Sequence, residues 1–285
     1  MSIKRVSAVL FATIFMANIM GGCAKVSNND IAVISREDGS GTRGAFIELT
    51  GVEQKDADGN KTDMTTIDAI IAKSTDVVIT QVSGNKNSIG YISLGAINDT
   101  VKAVTVDGVE PTSENVKNGS YPISRPFNIA TGDKVSDCTQ DFINYILSAE
   151  GQAIVEAKDY TPVVDNAESF KSNGATGKVV VAGSTSVSPV IEKIAEEYQT
   201  VNTGVTIEIQ TSDSTSGMKA VLDGTCDIGM ASRELKDDET VLNDTAIALD
   251  GIAIIVNNDN TIENLTTQQI CDIYTGTITS WDDFS

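Results

Sequence analysis

At Ser35-Arg36-Glu37-Asp38-Gly39-Ser40-Gly41-Thr42-Arg43 the chain predicts a strand that turns through a tight loop into a helix. An apolar run at 31–34 precedes the loop, and an apolar pattern with helical spacing begins at Ala45. The start of a helix leaves backbone N–H groups unpaired and carries the positive end of the helix dipole. Together with the hydroxyls of Ser40 and Thr42, these groups favour an oxyanion. We therefore expect half of an oxyanion site here.

Composition narrows the class of protein. A chain of 285 residues suffices for one large domain or two lobes. It carries 40 acidic against 20 basic residues, a net charge of −20, which argues against a nucleic-acid partner. The absence of histidine from the sequence removes Ser-His-Asp and Cys-His catalysis and argues against a zinc site. We expect no metal and no cofactor.

The N-terminal segment predicts export. Two basic residues precede an apolar segment at 6–20, which has the length of a secretory signal and is short for a membrane span. Met20-Gly21-Gly22-Cys23 resembles a bacterial lipoprotein cleavage box, in which the cysteine becomes the acylated first residue. We expect a signal peptide at 1–23, a tether at 24–30, and an extracytoplasmic protein anchored by lipid on Cys23. The alternative is an ordinary secreted protein in which Cys23 has no role.

The other three cysteines are widely spaced. Cys138, Cys226 and Cys271 form no CxxC motif. We expect buried small apolar residues rather than metal ligands, with one disulfide among them left open.

The strand–loop–helix pattern recurs later in the chain. An apolar strand at 179–181 runs into Gly183-Ser184-Thr185-Ser186, and Ser188 with Pro189 predicts the start of a helix. Ser212 to Gly217 and Ser232 provide two more hydroxyl-bearing loops. Repeated units of this kind predict an α/β fold whose ligands bind at the carboxyl ends of the strands. Each loop alone is typical of a capped helix, but four of them together favour an oxyanion site.

The remaining segments carry weaker patterns. They predict helices at 66–73, at 112–118 and from Ser136, strands at 76–81, 89–93, 101–106 and 246–257, an extended segment at 121–129, a polar linker at 167–177, and a capping box at Thr266.

Many of these motifs resemble the PstS-type phosphate-binding proteins of phosphate ABC transporters. They lie at 36–43, 89–91, 106–108, 125–127, 183–186, 214–217, 228–233, 249–257 and 273–281. The resemblance implies a class II periplasmic-binding-protein fold: two α/β lobes, each a mixed sheet flanked by helices, with a hinge of crossing strands. It also implies a monomeric solute-binding lipoprotein, not an enzyme, that captures inorganic phosphate between its lobes and delivers it to the membrane permease subunits of an ABC importer.

The order of the motifs departs from the family. Residues 31–170 resemble the family's second half and residues 178–285 its first half, while each motif occurs once. We interpret this as a circular permutation in which the linker joins the old termini; a fragment of two tandem copies or a rearranged reading frame is the alternative. One lobe (lobe A) would then span 125–252. The other (lobe B) would combine 31–121 with 256–285, with the hinge near 121–129 and 251–256.

The resemblance also implies roles for individual residues. The expected phosphate ligands are Arg36, Ser40, Gly41, Thr42, Thr185, Ser186 and Ser214. Asp38 is expected to orient Arg36. Some family members place an acid where Arg233 stands, and that acid accepts the phosphate proton and so excludes sulfate. Here the acceptor is left open between Asp38 and Asp250, and Ser232 is a further candidate ligand.

Three other functions compete with this interpretation. Gly39-x-Gly41-x-x-Gly44 satisfies the dinucleotide fingerprint, although Asp38 would face a pyrophosphate unfavourably. Ser216-x-x-Lys219 matches the acylation motif of penicillin-recognising enzymes without its companion motifs. A phosphate sensor of the same fold, without a transport role, is the third.

Overall fold

The computed structural model describes residues 29–284. Strands β1–β14 cover Ala32–Arg36, Glu53–Lys55, Lys61–Asp63, Ile70–Ala72, Ser88–Ser93, Val101–Ala103, Thr105–Val106, Ser124–Thr131, Thr161–Pro162, Gly177–Ser184, Val205–Ser212, Ile228–Ala231, Asn243–Asn257 and Asn264–Leu265. Helices α1–α8 cover Gly41–Thr50, Thr75–Gly84, Ser113–Lys117, Asp137–Ile146, Ala149–Ala157, Ser188–Val201, Ser214–Leu222 and Thr267–Tyr274.

One mixed sheet runs through the molecule in the order β11-β10-β12-β8-β13-β5-β1-β4, and β6 and β9 also pair with β13. The 15-residue β13 joins its two halves. Residues 243–251 of β13 pair with β8, and residues 252–256 pair with β5. The apolar end of β13 is buried throughout, as expected of a strand covered on both faces.

The two largest of four apolar core clusters among residues 29–284 lie in the two halves of this sheet. One surrounds Phe142 and Tyr198 and packs the helices α4–α6 on the half that contains β10 and β12. The other surrounds Phe46, Tyr91 and Tyr274 on the half that contains β1 and β5, with the Phe46 and Tyr91 rings stacked at 3.9 Å. The predicted two-lobed α/β fold is therefore confirmed.

Side-chain caps fix several helix starts. The Ser40 hydroxyl accepts a hydrogen bond from Arg43 N at the start of α1, and the capping box between Thr266 and Gln269 starts α8 as predicted. Helix α6 differs by one residue from the prediction. It begins at Ser188, whose hydroxyl donates to the Ser184 carbonyl at 3.0 Å instead of capping the helix.

Two predicted elements were wrong, and both lie after α1. The segment at 66–73 is not a helix; it contains the short strand β4, which pairs in parallel with β1 and forms the sheet edge. The predicted strand at 76–81 lies within α2, which buries Val78, Ile79 and Val82 on one face. The β-branched residues of this segment favour a strand locally, but packing against the lobe B sheet makes a helix.

The segment at 167–177 lacks helix and strand up to residue 176, as predicted for a linker, but it is held in place. Buried Asp141 accepts hydrogen bonds from Ser172 Oγ at 2.9 Å and Asn173 N at 2.7 Å. The same carboxylate accepts from Tyr198 Oη at 2.9 Å and Asn202 Nδ2 at 3.0 Å, so the segment is tied to α4 and α6.

Cys138, Cys226 and Cys271 are free thiols, so the disulfide that the sequence left open does not form among them. Cys138 is buried, whereas the other two are half-buried. Cys23, the predicted lipidation site, lies outside the described residues. Among residues 29–284, no helix has both the length and the apolar character needed to cross a bilayer.

Candidate functional site

Six buried hydroxyl side chains converge where the loops after β1, β10 and β12 meet the starts of α1 and α7. We call them the hydroxyl cluster: Ser40, Thr42, Ser184, Ser186, Ser214 and Ser232, each between 0% and 3% exposed. Hydroxyls this deeply buried require hydrogen-bond partners. They bond to one another and to nearby backbone groups, which makes the cluster a compact set of groups that can each donate or accept.

Lobe A here denotes the half of the molecule that contains β10, β11 and β12, and lobe B the half that contains β1, β4 and β5. Lobe A contributes four of these hydroxyls. Ser184 Oγ donates to Ser232 Oγ at 3.0 Å, and the Ser214 and Ser232 hydroxyls lie 3.4 Å apart. The backbone N–H of Ser232 also donates to Ser214 Oγ at 3.2 Å. Sequence reasoning missed Ser184, which directly precedes the predicted ligand Thr185.

The two lobes touch directly at the cluster. Thr42 Oγ1 lies 2.9 Å from Ser186 Oγ, and either hydroxyl can be the donor. The N–H of Thr215 donates to the Gly39 carbonyl at 3.2 Å. The cluster is therefore an interface between lobes as well as a set of donors.

The lobes approach each other closely at Gly41. A Cβ atom at this position would overlap the Ser214 hydroxyl oxygen and lie 2.8 Å from Ser232 Oγ. A side chain at this position would require the Ser214 and Ser232 hydroxyls to move, which favours glycine between Ser40 and Thr42.

Helix starts add fixed dipoles to the hydroxyls. Helices α1 and α7 begin at Gly41 and Ser214, both buried in the cluster, so their positive ends point into it. An anion among these groups would meet N–H donors and hydroxyls that are already oriented.

Arg36 brings a cationic group to the cluster. It is 2% exposed, and its Nη2 donates to Thr185 Oγ1 of lobe A at 3.3 Å. Its Nε and Nη2 each donate to Glu37 at 2.8 Å. The prediction that Asp38 orients Arg36 is wrong, because the neighbouring Glu37 takes that place.

The other two arginines near the cluster are also paired. Arg43 bonds to Asp38 at 2.6 Å and to Asp63 at 2.9 Å. Arg233 makes a buried pair with Glu239 at 2.7 Å. With each cation matched by a carboxylate, the site depends mainly on oriented dipoles for its attraction to an anion.

Both predicted candidates for the proton acceptor lie away from the cluster. The Asp38 side chain is 98% exposed and pairs with Arg43. Asp250 is buried at the crossing strands, where it accepts from Arg125 Nη2 at 3.0 Å and Ser93 Oγ at 2.8 Å. Burial raises the pKa of Asp250 to about 6, against the opposing attraction of Arg125.

Thr75, at the start of α2, was also missed. It is 5% exposed, and its Oγ1 lies 3.3 Å from Ser186 Oγ. The wrong strand prediction at 76–81 hid the helix that presents it. The signal that could have found it is Ser74 as a helix cap, followed by acidic Asp76 in the first turn.

A groove of about 680 Å³ opens beside the cluster, between the next turn of α1 and residues 233–237. Its lining includes Gly44, Leu49, Lys61, Arg125 and Arg233. The groove places solvent-accessible space between the lobes next to the buried hydroxyls.

The penicillin-recognition motif does not form a reactive site. Ser216 Oγ donates to Asp213 at 2.6 Å, and exposed Lys219 pairs with Asp223 at 2.9 Å on the surface of α7. Neither side chain activates the other.

Comparison with known proteins places the chain among solute-binding proteins. A family model described as a PBP superfamily domain matches residues 11–150 and 169–285. The phosphate-binding protein PstS 2 of Streptococcus agalactiae is 48% identical, over 99% of this chain and 98% of its own length. The PstS 2 protein of Streptococcus pneumoniae is 44% identical, over 95% of this chain and 94% of its own length.

A solved structure gives the same result. The crystal structure of the phosphate-binding protein of a phosphate ABC transporter from S. pneumoniae TIGR4 superposes with a TM-score of 0.72 at 46% identity. The match covers 90% of this chain and 100% of that one.

Proposed function

The chain belongs to the PstS phosphate-binding proteins of the periplasmic-binding-protein superfamily, and we propose that it captures inorganic phosphate between its lobes for an ABC importer. The observation that carries this proposal is the buried hydroxyl cluster, which joins the lobes at two helix starts. Transport is favoured over sensing because the similar pneumococcal structure is a transporter component. The role is binding without a chemical step.

Phosphate suits this cluster because its four oxygens need many donors and one acceptor. We assign the ligand contacts to the predicted set, Arg36, Ser40, Gly41, Thr42, Thr185, Ser186 and Ser214, with Ser232 as a further contact. Hydrogen bonds to a charged group contribute about 1.5–3 kcal/mol each. Five of them supply about 7.5–15 kcal/mol against an association cost of about 4–15 kcal/mol, so micromolar binding requires bonds near the strong end of this range and a preorganised site with a low association cost.

Isothermal titration of the ligand-stripped protein tests the function. We expect heat with phosphate and arsenate and a much weaker response with sulfate. Arg36→Ala should abolish phosphate binding while the circular dichroism spectrum stays unchanged. Folded protein that gives no heat with phosphate would refute the function, and an unchanged affinity of Arg36→Ala would refute the role of that residue.

We also propose that Cys23 carries the lipid that tethers the protein outside the cytoplasmic membrane. The support is the cleavage-box sequence and the membership in a family of transporter binding proteins. Growth with a radioactive fatty acid should label the wild-type protein and leave Cys23→Ala unlabelled. Absence of label from the wild-type protein would contradict the assignment.

The lobe boundaries remain a proposal that the sheet supports. Lobe A spans 125–252, and lobe B combines 31–121 with 256–285. The two predicted hinge segments, near 121–129 and 251–256, run side by side between the lobes. Ser124 pairs with Gly251, and Ile252 N donates to the Ile123 carbonyl at 2.8 Å.

Finally, we propose that the chain is a circular permutant of the family. Asp30 and Ser280 form an antiparallel bridge, and Trp281 N donates to the Asn29 carbonyl at 2.9 Å, so the first and last segments of the described part of the chain lie side by side. The S. agalactiae relative matches over nearly its whole length, which favours a stable arrangement over a fragment or rearranged frame.

A further inference from the structure

The start of α2 lies at the same sheet edge as the loop that carries Arg36 and Ser40. Strands β1 and β4 are parallel neighbours, and Ala72 at the end of β4 pairs with Arg36 at the end of β1. The chain therefore leaves both strands on the same side of lobe B. Thr75 follows Ala72 by three residues and begins α2.

The hydroxyl of Thr75, in lobe B, contacts Ser186, a predicted phosphate ligand in lobe A. Its Oγ1 lies 3.3 Å from Ser186 Oγ, which is itself 2.9 Å from Thr42 Oγ1. Ser186 thus lies between two lobe B hydroxyls. Because Thr75 is 95% buried with its hydroxyl at this contact, the hydroxyl faces the interior of the cleft rather than solvent.

The helix behind Thr75 strengthens its capacity to donate. Helix α2 has ten residues, and its Ser74 cap accepts from Val77 N, which leaves the first-turn end with a positive partial charge. The Asp76 carboxylate in the same turn is exposed, so water and salt screen its charge.

We propose that Thr75 is a further oxyanion-binding residue, which adds the hydroxyl at the start of α2 to the donors of α1. This inference rests on the proposed phosphate function and concerns the same site. The ligand class is a tetrahedral oxyanion held between Thr75 and Thr42 of lobe B and Ser186 of lobe A.

The test compares three variants of one helix by isothermal titration with inorganic phosphate. Thr75→Val removes the hydroxyl at nearly constant volume, and Thr75→Ser keeps it. Thr80→Val is the matched control, because Thr80 is exposed on α2 and its hydroxyl donates to the Asp76 carbonyl of its own helix at 2.8 Å.

We expect Thr75→Val to weaken phosphate binding about tenfold or more, Thr75→Ser to stay within about threefold of wild type, and Thr80→Val to bind as wild type. Combining Thr75→Val with Ser186→Ala should weaken binding by less than the product of the two single effects, because the two hydroxyls share one contact. A purely structural contact would couple the two substitutions in the free energy of unfolding of the ligand-free protein, so urea unfolding of the same four proteins without phosphate separates the two roles.

Two results would overturn the inference. One is a Thr75→Val protein that binds phosphate as tightly as wild type; the other is equal weakening by Thr75→Val and Thr75→Ser. If wild type itself gives no heat, the phosphate function and this inference fail together. If wild type binds and Thr75→Val is unaffected, only the inference fails.

Discussion

Gly41 is a residue at which the contact between the lobes is sensitive to a single added atom. It begins α1 in lobe B and faces Ser214 and Ser232 of lobe A, whose hydroxyls occupy the place that a Cβ atom would take. The overlap arises between lobes and not within α1. A substitution here should therefore affect ligand capture more than folding.

We expect Gly41→Ala to weaken phosphate binding. Overpacking of this kind costs about 1–3 kcal/mol, which corresponds to about 5- to 150-fold in affinity. Gly44→Ala is the control on the same helix, because its Cβ would have Arg233 Cδ as its nearest contact at 3.7 Å. Titration calorimetry of both variants checks this; equal affinities for Gly41→Ala and Gly44→Ala would contradict it.

Asp141 is a second residue whose role can be measured, in this case through the pH dependence of the free energy of unfolding. Burial alone would raise its pKa, but hydrogen bonds from Asn173 N, Ser172, Asn202 and Tyr198 outweigh burial and lower it. A carboxylate with a lowered pKa stabilises the fold above its unfolded-state pKa, about 3.9. That stabilisation is lost as the pH falls through the folded-state pKa.

Asp141→Asn should therefore reduce the free energy of unfolding at pH 7 by about 1–3 kcal/mol, and the difference from wild type should shrink below about pH 4. Asp137→Asn, an exposed substitution in the first turn of the same helix, is the control. Urea unfolding at pH 7 and pH 3.5 measures the effect. A difference that is constant with pH would show that ionisation of Asp141 is not its cause.

At the scale of elements, the starts of α2 and α4 differ in whether they lie at the proposed phosphate site. Ser74 caps α2 beside the hydroxyl cluster, whereas exposed Ser136 caps α4, whose apolar face packs in the core of lobe A. Both hydroxyls accept a hydrogen bond from the third residue after the cap. The two caps are thus matched in chemistry and differ in location.

We expect Ser74→Ala and Ser136→Ala to lower stability by similar amounts, about 0.5–2 kcal/mol each. Only Ser74→Ala should weaken phosphate binding, because fraying of α2 displaces Thr75 from Ser186. Thermal melts and phosphate titrations of the two variants separate the effects. Equal affinities of the two variants would show that the start of α2 does not matter to the site.

The sequence was most informative where polar loops follow apolar strands. The loops at Ser40, Thr185 and Ser214 were predicted to lie on one side of the sheet. The Thr185 and Ser214 loops do so because β10 and β11 are parallel neighbours. The Ser40 loop follows β1, which runs the opposite way in the other half of the sheet, and it meets the other two loops from the facing side. It was least informative at α2, where the β-branched residues led to the prediction of a strand although Ser74 is a typical helix cap. The pairing of Arg36 with Glu37 rather than Asp38 depends on side-chain rotamers, which spacing along a chain does not determine.

At the scale of the whole molecule, the two halves of the chain build both lobes jointly. Residues 31–36 and 274–281 meet in lobe B, where Tyr274 Oη donates to the Ile34 carbonyl at 3.2 Å and Ile31 N donates to the Thr279 carbonyl at 2.8 Å. These contacts join parts of the chain that are farthest apart in sequence. A short linker between Phe284 and Asn29 would therefore connect two segments that already pack against each other.

We predict that the order of the two segments, 29–176 and 177–284, can be exchanged without loss of the fold. A chain that runs from Gly177 to Phe284, continues through a short Gly-Ser linker to Asn29 and ends at Thr176 keeps every described residue and its contacts. The new ends fall beside Asp141, which still binds Ser172 and Asn173. Because ends placed at exposed segments with few crossing contacts are tolerated, this chain should fold, melt within a few degrees of wild type, and bind phosphate with about the same affinity.

The control is a chain whose new ends interrupt β13 between Leu249 and Asp250. That cut separates the strand that joins the two halves of the sheet, and it leaves the buried Asp250–Arg125 pair at a chain end. We expect this second chain to be unfolded or to lose phosphate binding. If the reversed chain also fails to fold, then folding requires the order of segments found in the wild-type chain. Joining residue 284 to residue 29 would then not restore a folded protein in the family's order.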